Sequence, residues 1–355
     1  MKTLAMTISV SMLALAACSG ANTDTPETET AAATPPTGQK LQIYSARHYD
    51  SDQLLYDAFE AATGVEIQVR EGNSNQLLET MKAEGDSSPA DLILAADAGA
   101  LWRFQNAGLT QAFTTPALED KVPASMRQED GHWYGLTNRI RLVAYDPERI
   151  QPDQVDTWAE LADPSLEGEI CVRASSNIYN LSLMAEIIDR LGEETAQGWA
   201  EGIVANMARD PQGGDTDQIR AVAAGECGLA IVNHYYWSRL AGSDAERDKQ
   251  TVAATRLIIP DFGDGDGAHV NIAGAAIAST AEDPELAAQF IEFLLEEEGQ
   301  ALLTSDTGEV TLNRLGNLDL PTGETMPYTV SSTSLETFGI NQADAQRIYD
   351  LAGWK

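Results

Sequence analysis

The order of strand-like and helix-like runs constrains this 355-residue chain more than any other feature. "LQIY", "VEIQVREG" and "ADLILAAD" read as strands. Each is followed by a helix-like run: "DSDQLLYDAFEAATG", "NSNQLLETMKAEGD" and "AGALWRFQNAGL". In the first of these, Leu54, Leu55, Phe59 and Ala62 recur at helical spacing and Gly64 follows as a stop signal. Alternation of this kind implies an α/β domain with a mostly parallel sheet. Two long extended passages break it, "GHWYGLTNRIRLVAYDPERI" and "TVAATRLIIPDFGDGDGAHVNIAGAAIAST". Between them the α/β rhythm resumes with "GEICVRASSNIYNLSLMAEIIDRLG" and "IRAVAAGECGLAIVNHYYWSRLAG". After them, "PELAAQFIEFLLEEEGQALLTS" is an amphipathic helical stretch. The chain is long enough for two domains. Two α/β domains joined by two extended crossovers make a two-lobed receptor, hinged so that strand-end loops of both lobes face one cleft. The expected spans are 40–138 plus 268–355 for the N-terminal lobe and 139–267 for the C-terminal lobe.

Residues 1–17 read as a secretory signal: Lys2, then the apolar "LAMTISVSMLALAA", then small residues leading to Cys18. "LAAC" matches a bacterial lipobox, which implies lipid attachment at Cys18; simple cleavage near Ala17 is the alternative. Residues 18–39 are rich in Thr, Pro and Ala, cannot pack a core, and read as a flexible tether. Export makes a disulfide between Cys171 and Cys227 possible, against two buried free thiols. Losing residues 1–17, with Lys2 as their single charged side chain, takes the formal charge from −33 to −34. Such acidity argues against a nucleic-acid partner.

Four loops carry the chemistry: "RHY" with Arg47, His48 and Tyr49; "NRIR" with Arg139 and Arg141; "SSNIYN" with Tyr179; and "NHYYW" with Tyr235 and Tyr236. Three follow a strand-like run directly, and those three hold four tyrosines. A lone phenol, with pKa near ~10, is a neutral hydroxyl. A highly charged cation makes phenolate the stable form, and phenolate is a hard oxygen donor suited to a trivalent ion. Tyrosines with few thiols and one imidazole therefore point to Fe(III) rather than zinc or copper. His132, His234 and His269 read as structural or exposed, and Trp237 as packing beneath the tyrosine pair. Asp261, Asp264 and Asp266 in "DFGDGDG" lack the loop length and terminal Glu of an EF-hand and read as a solvated turn. Asn233 is expected to cap the helix that starts with the tyrosine pair. No G-x-S-x-G or H-E-x-x-H motif suggests an enzyme.

"YSARHYDSD", "ATGVEIQV", "SSPADLILAADAGALW", "CVRASSNIYNLSL", "NHYYW" and "HVNIAG" together resemble bacterial ferric-ion-binding proteins of iron-uptake ABC transporters. The resemblance runs from about Leu41 to the C-terminal region and implies the type II periplasmic-binding-protein fold, a periplasmic location, a monomer, and delivery of iron to an inner-membrane permease with its ATPase. It further implies metal ligands Tyr235, Tyr236 and Tyr179 from one lobe, with Tyr49 and His48 from the other. Other members use a carboxylate after "ADLILA"; here Ala96 holds that place, with Asp97 beside it, so the tyrosine-rich subgroup fits better. Members with few protein ligands add a small anion such as carbonate. Four phenolates against a trivalent ion leave one negative charge, which Arg47, Arg139 or Arg141 would offset. Arg139 and Arg141 are expected on opposite faces of their crossover strand. A receptor for a polyamine or phosphonate is the alternative.

Overall fold

The computed structural model describes residues 38–47, 49, 51–263 and 265–355. Cys18, His48 and Asp264 lie outside the described residues. Residues 40–106 form three strand–helix units: β1 (Lys40–Ser45), α1 (Asp52–Thr63), β2 (Glu66–Glu71), α2 (Ser74–Glu84), β3 (Leu92–Ala95) and α3 (Ala98–Asn106). The local signals act as their chemistry requires. Gly64 ends α1 in the left-handed conformation, φ 76°, and returns its N–H to Glu60. Asn73 and Gln76 close α2 with a reciprocal capping box. The buried face of α1 is Leu55, Tyr56, Phe59 and Thr63, whereas Leu54 is 52% exposed.

After α4 (Pro116–Lys121), β4 (Tyr134–Tyr145) runs as twelve buried residues. Then come β5 (Ile170–Cys171), α5 (Ile178–Leu191), α6 (Glu193–Asn206), α7 (Asp215–Ala223), β6 (Leu229–Asn233) and α8 (His234–Ala241). The chain continues through α9 (Glu246–Ala254), β7 (Arg256–Ile258), β8 (Val270–Ile277), α10 (Pro284–Leu294), α11 (Glu297–Ser305) and β9 (Val310–Thr311). It ends with α12 (Thr337–Ile340) and α13 (Gln342–Ala352). No described helix is long and apolar enough to cross a membrane.

The main sheet runs β2-β1-β3-β8-β4-β6-β5, with β7 and β9 attached to β4. β1 is parallel to β2 and β3, and β5 is parallel to β6. The two extended passages supply β4 and β8, which pair antiparallel with each other and with the strands on either side. β4 changes partner within one peptide: Ile140 faces Val270 of β8, and Arg141 faces Asn233 of β6. The mostly parallel sheet read from the alternation thus survives at the two ends, and the crossovers between them run antiparallel.

One hydrophobic cluster extends from Leu41, Phe59 and Leu92 through Ile272 to Ala230, Val232 and Trp237. A second gathers Val143, Trp158, Trp199, Ile203, Leu229 and Ile231. Ala345, Ile348, Tyr349 and Trp354, in and just after α13, pack with this second cluster. Cys171 and Cys227 form a disulfide, Cα–Cα 5.9 Å, tying β5 to the turn before β6.

Candidate functional site

The strand β6 stops at Asn233, whose extended backbone (φ −84°, ψ 140°) turns the chain into α8. Tyr235 and Tyr236 therefore occupy the first turn of α8, with ring centroids 4.5 Å apart. Asn233 stands at the cap position but makes no side-chain cap. Its Oδ1 accepts from Arg141 Nη1 (3.1 Å) and its Nδ2 donates to the Tyr235 hydroxyl (3.1 Å), so it orients a phenol instead. Trp237 is buried and bonded to Thr255 by its indole N–H (2.9 Å). Tyr179 sits on the first turn of α5, where Asn177 Oδ1 accepts its backbone N–H (3.1 Å). The guanidinium groups of Arg173, Arg139 and Arg141 lie 5.3, 6.0 and 6.0 Å from its ring centroid.

Arg139 and Arg141 do not split between faces. Both are buried and both reach Tyr179, because residues two apart on a strand share a face. The expectation of opposite faces was a misapplied alternation. Arg141 pairs with Asp215 (2.9 Å) and donates to Asn180 Oδ1 (2.6 Å); Arg173 also pairs with Asp215 (3.1 Å).

The opposite wall comes from the loop after β1. The Tyr49 hydroxyl donates to Glu309 Oε1 (3.3 Å) and lies 3.5 Å from Arg139 Nη2. Arg47 is buried, with its guanidinium 5.0 Å from the Tyr49 ring, and pairs with Asp52 (3.1 Å) and Glu309 (3.5 Å). Arg139 pairs with Glu309 (2.5 Å) and donates to the Ala96 carbonyl. Asp97 is turned away from the tyrosines: it accepts from Ala100 N–H, Ser182 Oγ and Asn271 Nδ2.

Sequence reading missed Glu309, Asp215, Arg173 and Arg239. Glu309 carries no motif and lies 260 residues from Tyr49 in sequence. Arg239 was within reach, since it stands four residues after Tyr235 on the same helix. Its guanidinium lies 5.2, 5.5 and 5.5 Å from the ring centroids of Tyr235, Tyr236 and Tyr49.

Burial favours the protonated form of Tyr49, Tyr179 and Tyr235. Burial pushes the pKa of Tyr235 well above the phenol range, reinforced by Tyr179 and the other tyrosines around it. Burial likewise raises Tyr179 and Tyr49, and Arg139 pulls both back in part. Burial works against the Arg139 charge, but Glu309 and the tyrosines keep it firmly protonated. Burial also opposes ionisation of Glu309, yet Arg139 and Arg47 bring it down to about 2. Among the described residues, Arg47, Arg139, Arg141, Arg173 and Arg239 stand against Asp52, Asp97, Asp215 and Glu309, which leaves one positive charge in excess. Among the described residues, no three His, Cys, Asp or Glu side chains gather as a metal site. His234 is buried and neutral: Nδ1 accepts from Ile140 N–H (3.1 Å), so Nε2 donates to the Gly308 carbonyl (3.0 Å). His132 bonds Thr110 and His269 bonds Glu186.

Two strand–helix groups joined by two crossover strands, with tyrosines and arginines converging where they meet, are the architecture of a solute-capturing receptor. The chain belongs to the bacterial extracellular solute-binding protein family, whose model matches residues 55–314. Iron uptake protein A1 of Synechocystis sp. is 38% identical over 351 residues, covering 99% of this chain and 96% of the relative. Among solved structures, the Trichodesmium protein in complex with iron and citrate ligands is 37% identical with a TM-score of 0.81. It matches 89% of this chain and 100% of its own. The ferric binding protein from Campylobacter jejuni is 32% identical, TM-score 0.81, with the same coverage. The fold is the two-lobed type II periplasmic-binding-protein fold.

Proposed function

We propose that this protein captures Fe(III) in the cleft and hands it to an ABC permease with its ATPase. The observation that carries this reading is the convergence of Tyr49, Tyr179, Tyr235 and Tyr236 on a patch with guanidinium charge in excess. Phenols so placed are poor acids alone and strong hard donors once a trivalent ion replaces their protons. Each proton displaced leaves a phenolate beside an arginine that is already in place. The names of the relatives, an iron uptake protein and a ferric binding protein, support the same cargo. The ligand set is Tyr49, Tyr179, Tyr235 and Tyr236, with His48 as the further candidate; Arg47, Arg139 and Arg141 balance charge. The excess positive charge favours an accompanying small anion, carbonate or a carboxylate, in line with the citrate in the Trichodesmium complex. It disfavours a polyamine.

The lobes are expected at 40–138 plus 268–355 and at 139–267; the packing of α13 in the second cluster supports moving residues 342–355 to the C-terminal lobe. The protein works outside the cytoplasm as a monomeric binder without a catalytic step, tethered by lipid at Cys18. Titration with ferric citrate tests the reading. A reddish phenolate-to-iron band should appear, and Tyr235→Phe with Tyr236→Phe should bleach it. A colourless wild type that gives no binding heat overturns the proposal.

A further inference from the structure

Tyr49 differs from the other three tyrosines in how it is held. It lies in the loop between β1 and α1 rather than on a helix. Among the described residues its hydroxyl donates to Glu309 Oε1. Glu309 itself is fixed from several directions. Its carboxylate is fully buried. Oε1 takes Tyr49 and Arg139, while Oε2 takes Thr137 Oγ1 (2.5 Å) and Arg47. The backbone beneath it is clamped as well. Gly308, with φ +68°, packs against Tyr235, and its carbonyl receives the His234 Nε2 proton. The loop that carries Glu309 is thus seated on the first turn of α8, the turn that presents Tyr235 and Tyr236.

We propose that Glu309 is the positioning residue that sets Tyr49 against the α8 tyrosine pair, and that it is not itself a metal ligand. Two guanidinium groups and a threonine engage its oxygens, and the phenol does so while Tyr49 keeps its proton, so Glu309 orders Tyr49 in the iron-free cleft. Through Gly308 and His234 the carboxylate is referenced to α8, and through Tyr49 to the β1–α1 loop. One side chain therefore measures the distance between the two walls. The inference rests on the ferric reading above.

A double-mutant cycle tests it. Wild type, Glu309→Ala, Tyr49→Phe and the double variant are titrated with ferric citrate, reading affinity and the visible phenolate band. Glu309→Ala and Tyr49→Phe should each weaken binding about tenfold and change the band alike, and the double variant should be within about twofold of either. Additive losses, roughly a hundredfold in the double variant, overturn the positioning role. So does a Glu309→Ala band that differs from the Tyr49→Phe band, which would mark direct ligation. Should Glu309→Ala fail to fold, Glu309→Asp withdraws the carboxylate by one methylene and runs the same cycle with the same two outcomes. A colourless wild type sinks the ferric reading; a coloured wild type with an additive cycle sinks this inference alone.

Discussion

The two walls of the cleft are built to different standards of rigidity. On one wall Tyr179 and Tyr235 sit on the first turns of α5 and α8, and Asn233, Arg141, Asp215 and Asn180 lock those turns together. On the other wall Tyr49 rides a loop and depends on one carboxylate brought from β9's leading turn. The contrast teaches an order of events. Under the proposed ferric reading, tyrosines fixed by helix starts and a buried network are preorganised for capture, and Tyr49 completes the site.

The strongest attack on this contrast removes the rigid wall. Tyr235→Phe with Tyr236→Phe should lower ferric affinity roughly a thousandfold, about 4 kcal/mol, by calorimetry or competition with a chelator. Next is the disulfide that ties β5 to the approach to β6. The Cys171→Ala, Cys227→Ala variant should lose about 4 kcal/mol of unfolding free energy in denaturant titration. Its iron affinity should stay within a few fold if the Arg141–Asp215 network suffices to hold the tyrosines.

Acid should loosen the same wall. Burial lowers the His234 pKa from 6.5 to about 4. Between those values the unfolded chain binds more protons than the folded one, so stability falls as pH falls through that window, by about 3 kcal/mol in all. Thermal melts from pH 7 to pH 4 should show the slope, and His234→Gln should flatten it. The depressed pKa of Glu309 adds a second loss, in the same direction, as pH drops from 4.5 towards 2. The mildest test is the Tyr49 wall: Tyr49→Phe should cost about tenfold in affinity, near 1.4 kcal/mol, and leave the melting temperature almost unchanged. Equal effects from both walls would break the comparison.

The same contrast explains what the sequence could tell. The α/β rhythm, the two crossovers and the tyrosines were legible because periodicity and residue chemistry are local. Even there the apolar stripe of α1 was read one residue off: Leu54 is exposed and Tyr56 is buried. Asn233 was placed rightly at a helix start, but Arg141 and Tyr235, found only across the sheet, decide what its amide bonds. Glu309 was out of reach, because a carboxylate in "TGEV" looks like any surface acid until folding brings Arg47, Arg139 and Thr137 around it.

The partner change in β4 sets a limit on how chains of this design can diverge. Arg139 and Arg141 straddle that change, one tied to Glu309 and the other to Asp215, and both face Tyr179 because they stand two positions apart, with Ile140 between them. Inserting or deleting one residue between them would send one guanidinium through the sheet to the far side. The geometry thus demands the spacing Arg139-Ile140-Arg141 itself, whatever the lengths of the loops around it.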